Sequence, residues 1–277
     1  MLIDVHAHIN DEKLKDDIEN VINRAKSAGV DYIVNATCDK KSIIETLELI
    51  KKYENVYATI GIHPQAIFEY DEDVETLIYS NMYNTKVIAI GEIGLDYHDM
   101  ETQIAYIKQD YPQHSNITEE EIKNIQKEVF IKQIKLASKM NLPIVVHSRD
   151  AIEDTLDIIK EHINLLPNKG LIHCFSGSVE TAKEYKKLGF YISVGGAITF
   201  KNARYLPDVI RECGIENVML ETDCPYLTPE PFRGKINEPK NVVFVKDKIA
   251  EILDVDYNDV EIKTSENAKS LFKRLPC

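Results

Sequence analysis

The sequence lacks the features that mark membrane-bound, secreted or thiolate-metal proteins. None of its apolar runs is long enough to span a bilayer, and Asp4 and His6 interrupt the region where a signal peptide would need an apolar stretch. The five cysteines are scattered and never form a C-x-x-C pair, which argues against a disulfide framework and a thiolate zinc site. We therefore expect a cytoplasmic protein that uses no membrane and no obligate protein partner.

The chain also lacks an excess of positive charge. Its formal net charge of −13 is unfavourable for wholesale binding to a polyanion, which usually requires a basic domain or stripe. A nucleic-acid substrate is still compatible with this balance if bound cations and a few local arginines and lysines meet its phosphates. A cluster of carboxylates that holds divalent metals would itself contribute to the negative charge.

No Gly-rich dinucleotide fingerprint follows any of the candidate strands, which disfavours an open, doubly wound sheet. Eight short β-branched runs alternate with helical or loop segments, and this is the pattern of an α/β protein with a (β/α)₈ TIM barrel. With no linker or repeat, residues 1–277 are predicted to form a single domain. The candidate strands are Leu2–Val5, Tyr32–Ala36, Val56–Ile62, Val87–Gly91, Ile144–Val146, Gly170–Ile172, Phe190–Val194 and Val218–Glu221.

The segments between the strands include several with helical period, at 17–28, 42–53 and 151–162. The clearest amphipathic helix follows a capping box of Thr118 and Glu121. Two further helices are predicted after the last strand, at 242–253 and 266–275. Residues 95–118 break the rhythm, because a barrel usually needs only a few residues there. We predict an inserted loop over the catalytic face, acting either as a lid or as a solvated excursion.

Polar residues collect where the predicted strands end, and in a barrel all these ends point into one mouth. Imidazole and carboxylate groups in this number suit two divalent ions bridged by a carboxylate. Each residue alone has a structural alternative, such as a hydrogen-bonded histidine or a turn-capping aspartate; the shared position favours metal binding. The candidates are His6, His8, His63, Glu92, His147, His173 and Asp223.

Three cations, Arg149, Arg233 and Lys235, are expected in exposed loops on the same face. They are either ordinary surface charge or groups that recognise a phosphate or carboxylate. The remaining histidines, His98, His114 and His162, are expected at loop or helix surfaces without a role in the site.

Several motifs resemble those of the TatD family of metal-dependent hydrolases, in order and along nearly the whole chain. They are LIDVHAH (2–8), GIHP (61–64), GEIGLDY (91–97), VHSRD (146–150), HCFSG (173–177), LETDCPYL (220–227), RGK (233–235) and NEP (237–239). The resemblance implies an amidohydrolase-like TIM barrel with deoxyribonuclease activity. Many relatives have a second histidine where this chain has Gln65, and the segment 95–118 is longer than the family pattern leads us to expect.

Carried over by position, the resemblance implies two metal sites. His6, His8 and Glu92 would hold one ion, and Glu92, His147 and His173 the other. Asp223 would be a further ligand near the nucleophile. The ligand types do not distinguish Mg, Mn, Zn and Fe.

We therefore predict a deoxyribonuclease in which two ions activate a water molecule for attack on a phosphodiester bond of DNA. Asp223 would act as general base and Glu92 would keep the ions at their spacing. His63, Arg149, Arg233 and Lys235 would orient the substrate. Two alternatives stay open: a metal-dependent hydrolase of a small carbonyl substrate (amide, ester or lactone), and a non-enzymatic binding module that keeps the metals for stability.

Overall fold

The strands of this protein follow one another in chain order around a single eight-stranded sheet, with every neighbouring pair parallel. The computed structural model describes residues 1–203 and 205–276. This order confirms the predicted (β/α)₈ barrel. It excludes a doubly wound sheet, in which the strand order reverses. The strands are β1 Leu2–Ala7, β2 Val30–Ala36, β3 Val56–Ile60, β4 Val87–Asp96, β5 Ile144–Arg149, β6 Gly170–Ile172, β7 Tyr191–Val194 and β8 Val218–Leu220.

The seam between the first and last strands nearly closes the barrel. The Asp223 backbone N–H donates to the carbonyl oxygen of His6 at 2.9 Å. Below that bond, the buried carboxylate of Asp4 accepts hydrogen bonds from the backbone N–H (2.9 Å) and the hydroxyl (2.6 Å) of Thr222. These bonds hold the segment that follows β8 against β1, so residues after β8 and residues at the end of β1 share one rim.

Ten helices occur in the described chain, and none is both long and apolar enough to cross a membrane. The capping box of Thr118 with Glu121 is confirmed ahead of α5, whereas the last helix begins earlier and ends sooner than the predicted 266–275. The helices are α1 Ile18–Ser27, α2 Lys40–Lys52, α3 Glu72–Ser80, α4 Met100–Asp110, α5 Glu119–Met140, α6 Ile152–Glu161, α7 Val179–Lys187, α8 Leu206–Cys213, α9 Val242–Leu253 and α10 Tyr257–Leu271.

Two apolar clusters hold the layers together. The larger one packs the outer faces of the strands against the surrounding helices. In the smaller one, buried residues of β1 to β6 and β8 contact one another and the C-terminal residues Leu271, Phe272 and Leu275. Side chains from that many strands can meet only inside the barrel, so this cluster fills the barrel below the polar mouth. The mouth is therefore built on a closed apolar floor.

Two buried glutamines of α5 fix the backbone at the ends of neighbouring strands. Gln133 accepts from the N–H of Ile62 at 2.8 Å and donates to its carbonyl oxygen at 2.9 Å. One helical repeat earlier, Gln126 accepts from the N–H of Asp96 at 2.9 Å and donates to the same residue's carbonyl oxygen at 3.1 Å. Buried backbone groups need such partners where a sheet ladder ends. The long helix thus positions two strand ends at the mouth.

The segment 95–118 differs from the predicted loop. It begins as the end of β4 and continues into α4 and a 3₁₀ turn at Pro112–His114. Strand β4 keeps its pairing with β5 because Gly94 (φ +145°) lies where any Cβ would collide with the carbonyl oxygen of His147. Helix α4 then packs Met100 and Ile107 onto a third apolar cluster shared with α5. The insertion is therefore an ordered helix over the catalytic face.

Four of the five cysteines lie in the described part of the chain, and all four are unpaired. Cys38, Cys174, Cys213 and Cys224 are free thiols, and Cys277 lies outside the described residues.

Candidate metal centre

The residues singled out at the strand ends converge in the mouth of the barrel. His6, Glu92 and His173 are buried, while His8, His63, His147 and Asp223 are shielded but reach the solvent. Glu92 lies at the centre, because each of its two carboxylate oxygens faces a different set of imidazole nitrogens.

The first set surrounds Oε2 of Glu92. The Nε2 atoms of His6 and His8 lie 3.2 Å apart and 3.3 and 3.6 Å from this oxygen. Oδ1 of Asp223 completes the group, at 3.8 Å from His6 Nε2 and 3.4 Å from His8 Nε2. Four donor atoms from β1, β4 and the loop after β8 thus face one point.

The second set surrounds Oε1 of Glu92. His147 Nδ1 lies 2.7 Å and His173 Nε2 lies 2.6 Å from this oxygen, and the two nitrogens are 3.1 Å apart. The three donors form a triangle that is open toward the mouth. The two oxygens of a single carboxylate therefore face two groups of imidazoles.

The spacing of these donors fits divalent cations. Ligands arranged tetrahedrally around an ion with bonds of about 2.0–2.2 Å lie about 3.3–3.6 Å from one another. The separations in the first set run from 3.2 to 3.8 Å, so an ion would need almost no movement of the side chains. The second set is tighter, and its three donors would separate by several tenths of an ångström. Both sets consist of the nitrogen and carboxylate ligands that suit several divalent metals.

Hydrogen bonds on the far side of the rings orient the histidines around Glu92. His8 Nδ1 lies 3.2 Å from the carbonyl oxygen of Ala36, which can only accept, so this nitrogen carries a proton, and in the neutral ring that a cation requires Nε2 would keep its lone pair. In His147 the roles are reversed, because Nε2 lies 3.3 Å from a carboxylate oxygen of Asp96 and Nδ1 faces Glu92. This is the arrangement that fixes the tautomer of metal-binding histidines.

His63 has the opposite tautomer. Its Nδ1 accepts a hydrogen bond from the backbone N–H of Gln65 at 3.2 Å, so the neutral ring carries its proton on Nε2. Burial and the neighbouring His147 lower the pKa of His63 to about 3, which keeps the ring neutral. Although Nε2 lies only 3.5 Å from Oε1 of Glu92, it is placed to donate a hydrogen bond. His63 also belongs to a group with Glu92 and His147 that could hold a metal ion, whereas the tautomer described here would donate to a substrate.

The carboxylates of the site are held ionised. Burial alone would raise the pKa of Glu92, but the surrounding imidazoles, His173 foremost, and the hydrogen bond with His147 outweigh it and hold that pKa well below its usual range. For Asp223 the effect of burial is likewise overcome, chiefly by the hydrogen bond with His8, and its pKa is lowered. Burial also lowers the pKa of His6 to about 4, so its ring is neutral. The mouth therefore offers ionised oxygens, but its rings differ: the pKa of His6 and of His63 is lowered, whereas the pKa of His8, His147 and His173 is raised against the effect of burial.

Two acidic residues near the site escaped the sequence analysis. Asp96 is buried and holds His147, and two carboxylates, Asp96 and Glu92, overcome burial to raise the pKa of His147 to about 9. Glu221 is buried 3.9 Å behind His173 Nδ1, where it accepts from the Cys174 backbone N–H at 2.6 Å. The aspartate in the motif GEIGLDY was the available signal for Asp96, but it falls where the sequence predicts a loop.

The predicted substrate-binding cations do not join the donor groups. Arg149 ends β5 with an exposed side chain and lines a cavity beside the site. Arg233 and Lys235 are exposed in the loop after β8, where the Arg233 guanidinium lies 4.2 Å from the centre of the Phe200 ring. Gln65, at the position where many relatives have histidine, donates to Asp96 at 2.9 Å. It therefore supports the partner of His147.

Comparisons with known proteins extend over the same residues. The family described as TatD related DNase matches residues 3–273. The chain is 42% identical over 273 residues to an uncharacterized metal-dependent hydrolase of Bacillus subtilis, YabD, covering 99% of each protein. It is 33% identical over 276 residues to the uncharacterized metal-dependent hydrolase YcfH of Escherichia coli, covering 98% of this chain and 95% of YcfH.

A solved structure shows the same architecture. The crystal structure of YjjV, a TatD homolog from Escherichia coli, superimposes with a TM-score of 0.86 at 29% sequence identity, over 99% of this chain and 98% of that one. The likeness therefore extends over nearly the whole length of both chains.

Proposed function

Because this chain belongs to the TatD family of metal-dependent hydrolases, we propose that it is a deoxyribonuclease that cleaves phosphodiester bonds of DNA. The observation that carries the proposal is the sharing of Glu92 between two donor sets. Such a pair of sites suits the in-line displacement at a phosphorus atom, where two positive charges flank the attacking and leaving oxygens. In this proposal residues 1–277 form one catalytic domain.

The donor sets would hold two divalent cations. One set consists of His6, His8, Glu92 and Asp223, and the other of Glu92, His147 and His173. When bound, the pair would stabilise charge that develops on the phosphoryl oxygens and lower the pKa of a water molecule toward neutrality.

Asp223 is the side chain placed to take the proton from the attacking water. Its carboxylate is ionised, contacts both histidines of β1 through Oδ1, and is 15% exposed at the mouth. A general base must lie within hydrogen-bond reach of the proton that it accepts. Glu92 has no such access, since it is 3% exposed, and its role is to keep the two donor sets at a fixed distance.

The remaining side chains orient the substrate. Nε2–H of His63 faces the mouth and would donate to a phosphoryl oxygen. Arg149 at the end of β5 would bind a flanking phosphate, and Arg233 with Lys235 would meet the strand on the side of the loop after β8. The net charge of −13 is unfavourable for contact with DNA along an extended stripe. The substrate would therefore meet these few cations at one place, around the scissile phosphate.

The test compares phosphodiester and carbonyl substrates. The purified protein with added Mn²⁺, Mg²⁺ or Zn²⁺ is assayed on a short single-stranded DNA and on bis(p-nitrophenyl) phosphate, with p-nitrophenyl acetate and simple lactones in parallel. We expect phosphodiester hydrolysis that excess chelator abolishes. Faster turnover of the ester or lactone would replace the proposal with the carbonyl hydrolase, and no turnover with metal-dependent stability would favour a binding module.

Matched variants test the role of Asp223. Asp223→Asn keeps the shape of the side chain, and we expect it to lower kcat at least about 100-fold, the usual contribution of a general base. Asp208→Asn on the outer helix α8, where the carboxylate is 60% exposed, serves as the control and should leave kcat as it is. Full activity of Asp223→Asn would rule out this residue as the base.

A further inference from the structure

Beside the metal centre lies a cavity of about 440 Å³. It is formed by the 3₁₀ segment Pro64–Glu69 after β3, by α4, and by the side chain of Arg149. Two contacts connect the cavity with the metal donors. The lining residue Gln65 donates to Asp96 at 2.9 Å, and Asp96 in turn lies 3.3 Å from His147. Small-molecule sites have volumes of about 300–1,000 Å³, so the cavity can hold one nucleoside but no duplex.

The walls of the cavity combine aromatic rings with a rigid floor. Tyr106 projects from α4 and is 62% exposed although it is a large aromatic side chain, and Tyr111 lies at the end of the same helix. The buried amide of Gln103 ties α4 to β4 by donating to the carbonyl oxygens of Asp96 at 3.1 Å and His98 at 2.7 Å. An exposed ring on a helix that is fixed in this way, beside an open cavity, is the kind of surface on which a nucleobase stacks.

Charged side chains of both signs line the cavity. Three carboxylates, those of Glu69, Asp99 and Asp110, line it, and within the described ranges none of them is paired with a lysine or arginine. Arg149 is the one lining guanidinium among the described residues. A phosphate is therefore favoured beside Arg149, and the carboxylates can accept hydrogen bonds from N–H groups of a base. Carboxylates pair with the exocyclic amino group of cytosine, whereas thymine offers only an acceptor at the equivalent position.

We propose that this cavity binds the nucleoside adjoining the scissile phosphate and prefers bases that carry an exocyclic amino group over thymine. The inference rests on the proposed phosphodiesterase function, since it places the phosphate of the same nucleotide between Arg149 and the metal centre. Base selection then arises from α4, the helix inserted between β4 and α5, together with Glu69 of the 3₁₀ segment after β3.

The experiment measures binding and turnover separately. Dissociation constants of deoxycytidine 5′-monophosphate and thymidine 5′-monophosphate are determined by calorimetry on the metal-loaded protein; the two ligands share sugar and phosphate, so their ratio reports the base. We expect the cytidine nucleotide to bind at least about fivefold tighter. The same pair as 5′-p-nitrophenyl esters gives the ratio of kcat/KM values, which should favour cytosine as well.

Three variants localise the effect. Tyr106→Ala should weaken binding of both nucleotides by roughly 5- to 100-fold, the loss expected for a stacked base. The double variant Glu69→Gln/Asp110→Asn should move the cytosine-to-thymine ratio toward one; Asp99 is kept because it caps α4. Tyr83→Ala is the control, since Tyr83 is 84% exposed and precedes β4 at the opposite end of the barrel.

The outcomes separate this inference from the proposed function. Equal binding and equal turnover of the two nucleotides, or a base preference that survives in the double variant, would overturn the cavity's role while leaving the nuclease proposal standing. A base preference in binding that the double variant reduces, with weaker binding of both nucleotides to Tyr106→Ala but no hydrolysis of either ester or of bis(p-nitrophenyl) phosphate, would support the cavity and refute the nuclease.

Discussion

Replacement of Asp96 by asparagine removes one negative charge from behind His147 and changes little else. The carboxylate is 1% exposed and has three hydrogen-bond partners: the Gln65 amide and the His98 backbone N–H, both at 2.9 Å, and His147 Nε2 at 3.3 Å. The asparagine oxygen can still accept from Gln65 and His147, but the NH₂ group that replaces Oδ1 cannot accept from the His98 N–H, and the neutral amide no longer polarises the imidazole as a carboxylate does. We expect the second donor set to lose affinity for its cation while the first set keeps its own.

The size of the effect follows from two independent estimates. Partners of metal-binding histidines typically change metal affinity by about 10- to 100-fold, which corresponds to about 1.4–2.7 kcal/mol. Hydrogen bonds to charged groups contribute about 1.5–3 kcal/mol to stability, and the single bond lost here falls in the same range. A loss of about 10- to 100-fold for one ion is therefore expected.

Titration with Mn²⁺, followed by calorimetry, resolves the two dissociation constants in the wild type and the variant. The control is Asp150→Asn, which removes a carboxylate that also bonds a histidine, His98, at 2.7 Å but is 63% exposed. Both constants should stay within about twofold of the wild type in the control. The reasoning fails if Asp96→Asn leaves both constants as they are, or if the two variants lose affinity equally.

Three further predictions concern single side chains. Gln133→Leu leaves two buried backbone groups of Ile62 without partners and should lower the free energy of unfolding by about 2–6 kcal/mol, measured by urea denaturation; a change below about 0.5 kcal/mol would contradict this. Asp4→Ala should cost about 1–3 kcal/mol by unpairing Thr222, whereas Asp4→Asn should cost less. Burial raises the pKa of Asp4 well above its ordinary 3.8, so the native state binds that proton more tightly than the unfolded state and wild-type stability falls as pH rises above 3.8. The stability of Asp4→Asn relative to wild type should therefore increase over the same range. A difference that stays constant with pH would be evidence against the raised pKa. His63→Ala should lower kcat/KM while both metal dissociation constants stay within about twofold, and loss of an ion would instead make His63 a ligand.

The eight strands and the convergence of the polar residues could be predicted because both depend on local pattern and on one geometric rule. Short β-branched runs alternate with helical segments, and parallel strands in a barrel bring their C-terminal ends together. Thr118 with Glu121 marked the start of α5 for a similar reason, since a capping box lies within four consecutive residues.

Residues 92–118 could not be predicted in the same way, because their structure depends on distant contacts. Strand β4 passes Gly91 and continues to Asp96 since Gly94 lets it approach the backbone of His147. Gln126, some thirty residues away, then satisfies the backbone of Asp96. Helix α4 has a weak apolar pattern and is stabilised by packing on α5. The role of Asp96 behind His147 was missed for the same reason.

The central claim is that Glu92 is shared by two cations, and anomalous diffraction from crystals loaded with Mn²⁺ tests it directly. We predict two peaks about 3.5–4 Å apart, one beside His6 and His8 and the other beside His147 and His173, with one oxygen of Glu92 next to each. A single peak, or two peaks of which only one contacts Glu92, would contradict the account.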